Sequence, residues 1–209
     1  MSRKEQIIQK ALEIMKERGF SGLTMRDLAK SLGMEAASLY NHIASKDDLL
    51  ERVCFGIATQ LEEGILEVND VYFNAVERLE SAVRSHVNVL TQNLDASFVF
   101  VHEWRYLSTE AKSAFIKRRN QYEKEFRKII QLGIDEGAFE EVDPKFAVIT
   151  LLSALNSLVD WYNKDGDLSP EDVSNHLFEF VCKAVDKPSQ PDFYVKPETR
   201  NQKLETRNQ

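Results

Sequence analysis

Residues 24–46 read TMRDLAKSLGMEAASLYNHIASK. This stretch predicts two short helices: Thr24 can cap the first, Gly33 stops it, and the second runs from about Glu35 to Ile43. The residues predicted to be buried recur at helical spacing, namely Leu28, Ala29, Leu32, Leu39 and Ile43. Two short amphipathic helices around a tight turn form the helix-turn-helix pattern, whose second helix enters a major groove of DNA.

The outward face of the second predicted helix suits a close approach to base edges. If Leu39 and Ile43 are buried, the rotation of about 100° per residue directs Asn41 almost directly away from the core. Ala37 and Ser38 also point outward, and small side chains let a helix come near the bases.

The flanks of the same helix suit phosphate groups. Tyr40 and His42 lie at its two sides, and Lys46, in the first turn of the next helix, can add another phosphate contact. Two apolar anchors and a glycine alone fit equally well two helices packed inside any all-helical domain. The exposed face favours DNA binding, because it holds Ser, Tyr, Asn and His and no acidic residue beyond Glu35.

The charge distribution agrees with a DNA-binding N-terminus. The formal net charge of −7 argues weakly against nucleic acid as a partner. However, residues 1–52 hold nine Lys or Arg and eight Asp or Glu, whereas the remaining 157 residues hold 18 and 26. Nearly all the acidity therefore lies outside the first quarter, which is where we expect any contact with DNA.

The composition predicts a cytoplasmic protein of one or two domains. The chain has 209 residues, 43% of them hydrophobic, which suffices for a packed core. No apolar run approaches the roughly 18 residues of a membrane span, and the N-terminus lacks the apolar segment of a secretory signal. Cys54 and Cys182 fit neither a disulfide framework nor a metal site.

Helical signals continue along the chain, so the predicted fold class is all-α. Ser2 and Glu5 form a capping box that opens a helix ended by Gly19. The later predicted helices are one opened by Ser45–Asp48, a stripe over Val76–Leu90, a short buried helix at Phe98–Val101, one from Ser108 to near Gly137, a nearly all-apolar helix over Asp143–Tyr162, and one from Ser169 to Ala184. From Lys187 the pattern stops.

The segment from Ile7 to Val53 resembles the DNA-binding domain of the TetR family of bacterial repressors. The matching motifs are Ala11–Phe20, Leu23–Ala29, Leu32–Met34, Ser38–Ile43 and Ser45–Leu50. Leu-Tyr-x-His with a Lys four residues on is characteristic of the family. The resemblance implies that these residues touch DNA: Thr24, Arg26, Ala36, Ala37, Ser38, Tyr40, Asn41, His42 and Lys46. Because Ala36 and Ala37 replace the larger or polar residues often found there, we expect base reading to rest on Arg26, Ser38 and Asn41.

The resemblance also implies a division of the chain and a function. Residues 1–46 would form a three-helix DNA-binding domain, and residues 47–186 a helical effector-binding and dimerisation domain. The composition of residues 187–209, with three Pro and a duplicated Glu-Thr-Arg-Asn-Gln, predicts a flexible polar tail. The expected function is a transcriptional regulator, in the first instance a repressor. It would bind palindromic double-stranded DNA as a homodimer and be released by a small hydrophobic or amphipathic effector.

Part of the second domain resembles a subgroup that senses acyl-CoA thioesters. The matching stretches are His102–Arg105, residues 133–137, Asp143-Pro144, Trp161-Tyr162 and residues 166–171. The same fold also serves regulators of other hydrophobic ligands, such as drugs, and that alternative stays open.

An effector cavity between helices is a hypothesis on the sequence alone. Its candidate lining residues are Phe98, Val101, Trp104, Arg105, Phe115, Tyr122, Phe126, Leu155 and Trp161. For any single one of them, ordinary core packing is the better explanation. Arg105 beside Trp104 could hold an anionic head group, or it could form a salt bridge with Glu103 or Glu110. The basic run Lys117, Arg118 and Arg119 could contact phosphates of coenzyme A, although a solvated helix face explains it better.

The dimer interface is predicted because the helix over Asp143–Tyr162 is apolar on too many faces for the core of one chain. The apolar stripe of the last helix, Val173–Ala184, would join it. The candidate interface residues are Leu151, Leu158, Leu177, Phe180, Val181 and Ala184. Together the two helices would build a four-helix interface across a two-fold axis.

Two other classes of protein are weighed against a regulator. An enzyme is disfavoured, because the four histidines show no metal-ligand spacing and no nucleophile elbow or phosphate loop is present. We therefore predict no catalytic residues, no metal and no cofactor, and we expect His86 and His102 to be hydrogen-bonded near the core. A helical scaffold that never touches DNA would show no saturable, salt-sensitive binding to a duplex.

Overall fold

The computed structural model describes residues 2–70 and 74–185, and every regular element in those ranges is a helix. The all-α prediction is therefore confirmed. The predicted tail over residues 187–209 lies outside the described residues.

Ten α-helices and two 3-10 turns make up the described chain. The helices are α1 Arg3–Arg18, α2 Met25–Ser31, α3 Ala36–Tyr40, α4 Lys46–Asp70, α5 Ala75–Gln92, α6 Leu94–His102, α7 Thr109–Asp135, α8 Pro144–Asn156, α9 Leu158–Trp161 and α10 Pro170–Val185. The 3-10 turns are Phe20–Gly22 and Trp104–Tyr106.

Several helix ends coincide with the predicted capping residues. The Ser2 hydroxyl accepts a hydrogen bond from the Glu5 amide at 3.2 Å, and the Glu5 carboxylate accepts one from the Ser2 amide at 2.7 Å. Asp143 likewise accepts hydrogen bonds from the first amides of α8, where Pro144 has none to offer. Gly19 ends α1 with φ +72°, a left-handed conformation that a side chain would strain.

Two predicted helices are shorter in the structure. The second helix of the helix-turn-helix ends at Tyr40 instead of Ile43, because the Leu39 carbonyl accepts from both His42 and Ile43 in a tight turn toward α4. The apolar helix predicted over Asp143–Tyr162 is interrupted at Ser157. There the Ser157 hydroxyl donates to the Ala154 carbonyl at 2.7 Å, a local bond that competes with the helical ladder.

The N-terminal helices and the long α4 share one buried core with the second domain. Ile7, Leu28 and Leu39 are fully buried between α1, α2 and α3. Helix α4 packs against α5, α6 and α7, and α5 packs against α10. Helix α6 also packs against α1, so the two parts of the chain touch directly as well as through α4.

Candidate functional site: a DNA-facing surface and a cavity between helices

The helix-turn-helix presents the predicted DNA-contacting side chains at the surface. Leu28, Leu39 and Ile43 are buried, as their spacing predicts. The exposed residues of the set are Thr24, Arg26, Ala36, Ala37, Ser38, Tyr40, Asn41 and His42. The surface opposite the core therefore carries the residues that the sequence assigns to bases and phosphates.

Two of the predicted DNA contacts already have partners within the chain. The Lys46 ammonium is half-buried, lies 4.5 Å from the ring centre of Phe20 and reaches the Phe20 carbonyl at 3.5 Å. The Thr24 hydroxyl accepts from the Asp27 amide at 3.1 Å and donates to the Asp27 carboxylate at 2.7 Å. To bind a phosphate, the Lys46 ammonium must share or leave its contact with Phe20, and the Thr24 hydroxyl must share or leave its hydrogen bonds with Asp27.

A cavity of about 410 Å³ lies in the second domain, between α4, α5, α6, α7 and α8. Five of the residues predicted to line a cavity do so: Val101, Trp104, Arg105, Phe115 and Tyr122. The other lining residues are Leu61, His86, Phe100, Arg119, Glu123, Ile149, Leu152, Ser153 and Asn156. Eight of the fourteen lining residues are apolar or aromatic and six are polar or charged, so the cavity offers both an apolar wall and polar groups.

Four residues predicted to line the cavity lie elsewhere. Phe126 and Leu155 are fully buried in the core. Phe98 packs on the His102 ring with the ring centres 4.4 Å apart. Trp161 is 51% exposed at the end of α9. Their helices roll these side chains away from the cavity, which hydrophobicity alone does not reveal.

Two guanidinium groups gather around one indole at the edge of the cavity. The Trp104 ring stacks on Phe115 at 5.7 Å between ring centres. Arg105 and Arg119 both lie over the Trp104 ring, at 5.0 and 5.1 Å. Both are exposed, and neither pairs with a carboxylate within the described ranges. They therefore form a cationic rim beside an apolar interior.

The salt bridge considered for Arg105 does not form with either glutamate. The Glu103 carboxylate instead accepts a hydrogen bond from the Phe20 amide at 3.0 Å, on the other domain. Arg119 is not among the predicted lining residues, but it belongs to the basic run considered for phosphate contact; it lies one helical turn from Phe115 and shares its face. Its neighbour Arg118 turns the other way and pairs with Glu62 on α4.

Three neutral polar side chains lie on the inner wall of the cavity. His86 Nδ1 lies 2.9 Å from the Tyr122 hydroxyl, so the prediction of a hydrogen-bonded His86 is confirmed. Burial lowers the pKa of His86 to about 4 and raises the pKa of Tyr122. Asn156, which the sequence analysis did not single out, completes the group. His102 pairs with Asp160 at 2.8 Å, also as expected of a hydrogen-bonded histidine.

The residues predicted for a dimer interface divide into two groups. Leu151, Leu158 and Val181 are buried inside the chain, so they have no surface to offer a partner. Leu177 is half-buried, Phe180 is 64% exposed, and the Ala184 side chain lies outside the description. Sequence reasoning missed the large exposed apolar residues of α8, Phe146 and Ile149, because a uniformly apolar helix does not show which side faces outward.

Comparison with known proteins assigns the family. The sequence model of the bacterial regulatory proteins of the tetR family matches residues 7–53, and that of the tetracyclin repressor-like C-terminal domain matches residues 73–185. The chain belongs to the TetR family. It is therefore a DNA-binding transcriptional regulator and not an enzyme.

Individual relatives match over most of their length. The chain is 25% identical over 190 residues to the HTH-type transcriptional repressor KstR2 of Mycobacterium tuberculosis, covering 89% of this chain and 94% of that protein. The structure of that ketosteroid transcriptional regulator superposes with a TM-score of 0.84 at 24% identity, covering 89% and 96%. The structure of AibR in complex with isovaleryl coenzyme A and operator DNA has a TM-score of 0.74 at 25% identity, covering 86% and 97%.

The helices offer no membrane span. Within residues 2–70 and 74–185, none is long and apolar enough to cross a bilayer.

Proposed function

We propose that this TetR-family regulator is a cytoplasmic repressor that binds a palindromic operator as a homodimer and is released by an amphipathic anion of the acyl-CoA class. Residues 1–46 would bind the operator, and residues 47–186 would bind the effector and the second protomer. The observation that carries the effector assignment is the cationic rim of Arg105 and Arg119 beside an apolar cavity.

The operator would be read by the exposed face of α2 and α3. Arg26, Ser38 and Asn41 are the proposed base-reading residues, and Tyr40 and His42 would contact phosphates. Both small residues at the start of α3 are exposed, which supports close approach to the groove floor. Two recognition helices must lie about 34–36 Å apart to occupy successive major grooves, so a dimer is the unit that binds.

The dimer would form on the outer faces of α8 and α10. Phe146 is 72% exposed and Phe180 64% exposed, and Ile149 lies on the same helix as Phe146. Large exposed aromatic residues on two helices in mutual contact are typical of a surface that a partner covers.

An acyl-CoA suits the chemistry of the second domain. The acyl chain would occupy the cavity between Leu61, Phe115 and Leu152, while Arg105 and Arg119 would hold phosphates of the head group outside it. Glu123 also lines the cavity, but its carboxylate is paired with Arg127 and so does not confront the ligand alone. The relative AibR is known in a complex with isovaleryl coenzyme A, which agrees with this class of ligand.

The effect of the ligand on operator binding would be transmitted through the segment that contacts both the cavity and the DNA-binding domain. Trp104 and Arg105 line the cavity, whereas Glu103 and Tyr106 of the same segment contact Phe20. A ligand that wedges α6 and α7 apart would move these contacts and swing α4, changing the spacing of the recognition helices. A coupling free energy of about 1–3 kcal/mol between the two sites would suffice for partial release.

The test is calorimetry with acyl-CoAs of graded chain length, run beside release of a fluorescent operator. The unmodified protein should bind at least one acyl-CoA well below millimolar, and Arg105→Ala should weaken that binding about ten-fold, since a charge-assisted bond contributes roughly 1.5–3 kcal/mol. Lys117→Ala is the matched control, because Lys117 is an exposed cation of α7 that does not line the cavity. Binding no tighter than millimolar, or binding that leaves operator affinity unchanged, would overturn the ligand assignment.

A further inference from the structure

A second, smaller cavity adjoins the effector cavity, between α4 and α7. Its volume is about 30 Å³, which leaves room for roughly one or two groups the size of a methyl. The two cavities share the lining residues Leu61, Phe100, Phe115, Arg119 and Tyr122. These side chains therefore lie between a large cavity that would hold the effector and a small one that reaches α4.

The surface inside the small cavity is almost wholly apolar. Ala58 and Leu61 line it from α4, and Phe115 lines it from α7. The charged residues at its border, Glu62 and Arg118, direct their polar atoms to each other, and Arg118 Nε donates to Glu62 Oε1 at 2.7 Å. An apolar wall gives a polar group or a water molecule no hydrogen bonds, so the occupant that suits this cavity is hydrocarbon.

Arg118 also fastens α7 to α4 at the border of the small cavity. Besides its bonds with Glu62, its Nη2 atom donates to Thr59 Oγ1 at 2.8 Å, and its guanidinium lies 5.5 Å from the ring centre of Phe55. Extra atoms in a closely packed space force the surrounding elements to shift. Helix α4 begins at Lys46, directly after the helix-turn-helix. A group that overfills this cavity therefore displaces the helix that carries the DNA-binding domain.

We propose that the small cavity receives the end of the effector's hydrocarbon chain, and that release of the operator requires a chain long enough to reach it. The head group and the start of the chain contact Trp104 and Arg105, whereas the chain end lies between α4 and α7. Phe100, which is half-buried and lines both cavities, turns aside to let the chain pass. The inference rests on the proposed function, because the chain is that of an acyl-CoA or a similar amphipathic anion.

The first experiment measures binding and release separately along a series of straight-chain saturated acyl-CoAs. In calorimetry each added carbon should tighten binding by about four-fold while the chain end enters apolar space, and binding should weaken once the chain exceeds the two cavities. Anisotropy of a labelled operator is then recorded with each ligand at saturation. Chains near the best length should lower operator affinity by at least about five-fold. Markedly shorter chains should bind and leave operator affinity nearly unchanged.

One variant and a matched control locate the chain end. Ala58→Val narrows the small cavity alone, because Ala58 does not line the large one. The best chain length should shorten by about one or two carbons, the number that the small cavity holds, and shorter ligands should bind as before. Ala111→Val is the control, since Ala111 is 8% exposed against 7% for Ala58 and lines neither cavity. It should keep the best length, and thermal melting shows whether each variant folds.

The second experiment needs no variant. Protein labelled with carbon-13 in its alanine methyl groups is recorded with and without dissolved xenon, which binds apolar cavities. The Ala58 methyl resonance should shift with xenon, and the Ala111 resonance should not. The same spectra recorded with the acyl-CoA series should show the Ala58 resonance shifting only with chains that release the operator. This measurement provides the test if Ala58→Val fails to fold.

The outcomes separate this inference from the proposed function. A xenon shift at Ala58 in a protein that binds no acyl-CoA supports the apolar site and overturns the acyl-CoA assignment. Acyl-CoA binding that depends on Arg105, with the same best length in Ala58→Val as in the unmodified protein, overturns the inference and leaves the proposed function standing. Release by short chains as complete as release by long ones does the same, as does an Ala58 resonance that xenon leaves unchanged.

Discussion

The Glu103 carboxylate accepts a hydrogen bond from the Phe20 backbone amide at 3.0 Å, joining the second domain to the DNA-binding domain. The Phe20 ring also packs on the Tyr106 ring, and the Lys46 ammonium lies over the same Phe20 ring. Because Trp104 lies next to Glu103 and lines the cavity, one short segment contacts both the cavity and the DNA-binding domain.

The first prediction is that Glu103→Ala uncouples ligand binding from operator release. Acyl-CoA affinity should change little, since Glu103 does not line the cavity. The ligand-induced loss of operator affinity should shrink about five-fold, because a hydrogen bond to a charged group contributes on the order of 1 kcal/mol or more. Anisotropy of a labelled operator across an acyl-CoA titration measures both quantities. Glu110→Ala, an exposed carboxylate at the start of α7, is the control, and full coupling in Glu103→Ala would exclude this route.

The second prediction separates base reading from phosphate binding. Asn41→Ala should change the preferred half-site, because a base contact contributes about 1–3 kcal/mol of discrimination. Tyr40→Ala should weaken binding to all duplexes alike. Selection from a randomised half-site library reports the preference, and titrations at several salt concentrations report the general loss. An unchanged preference in Asn41→Ala would remove this residue from the reading face.

Lys46→Ala needs its own control, because the ammonium also contacts Phe20. It should lower the salt dependence of operator binding by about one counterion if the ammonium reaches a phosphate. Lys46→Met keeps the apolar packing on the ring without the charge. Equal salt slopes in Lys46→Met and the unmodified protein would mean that Lys46 serves the fold of the domain alone.

The sequence predicts the ends of helices better than it predicts the walls of the cavity. Ser2 and Asp143 cap their helices because capping depends on residues three or four positions away. Phe126 and Asn156 are different: whether a side chain enters the cavity depends on how its helix rolls against several others. Helical spacing marks Phe126 as buried without saying what it faces, and nothing local marks Asn156 at all.

The same limit explains the dimer face. Leu158 and Phe180 look alike in sequence, since each lies within an apolar helical stripe. In the structure Leu158 is fully buried and Phe180 mostly exposed, a difference set by contacts of α9 and α10 with α5. Arg119, in contrast, is visible in the sequence, because it belongs to a basic run and shares a helix face with Phe115 and Tyr122.

The third prediction is that Phe180→Arg yields folded monomers that do not bind the operator. A charge in the centre of an apolar interface lacks a partner there, and one half-site alone offers too few contacts. Light scattering gives the mass, and circular dichroism shows that the fold persists. Leu66→Arg, at an exposed apolar residue of α4, should remain dimeric. A mass of one chain for the unmodified protein would contradict the proposed dimer. Leu158→Arg, in contrast, should unfold the protein.

The pH dependence of stability offers a test of the buried His86. Its pKa is about 4 in the folded protein, against 6.5 for the unperturbed group, because burial disfavours the charged imidazole. Between these values the unfolded chain binds a proton that the folded protein does not. The protonation of His86 should therefore leave the free energy of unfolding unchanged above pH 6.5 and should lower it as the pH drops from 6.5 toward 4.

The last prediction follows from that sign. Between pH 7 and pH 4.5 the unmodified protein should lose more unfolding free energy than His86→Gln, whose side chain does not titrate, by roughly 3 kcal/mol at most. Denaturant titrations at a series of pH values measure this difference, and carboxylates common to both proteins cancel in it. His176→Gln, at an exposed histidine of α10, should follow the unmodified protein closely. Parallel curves for the unmodified protein and His86→Gln would mean that His86 titrates normally and is not sealed from water.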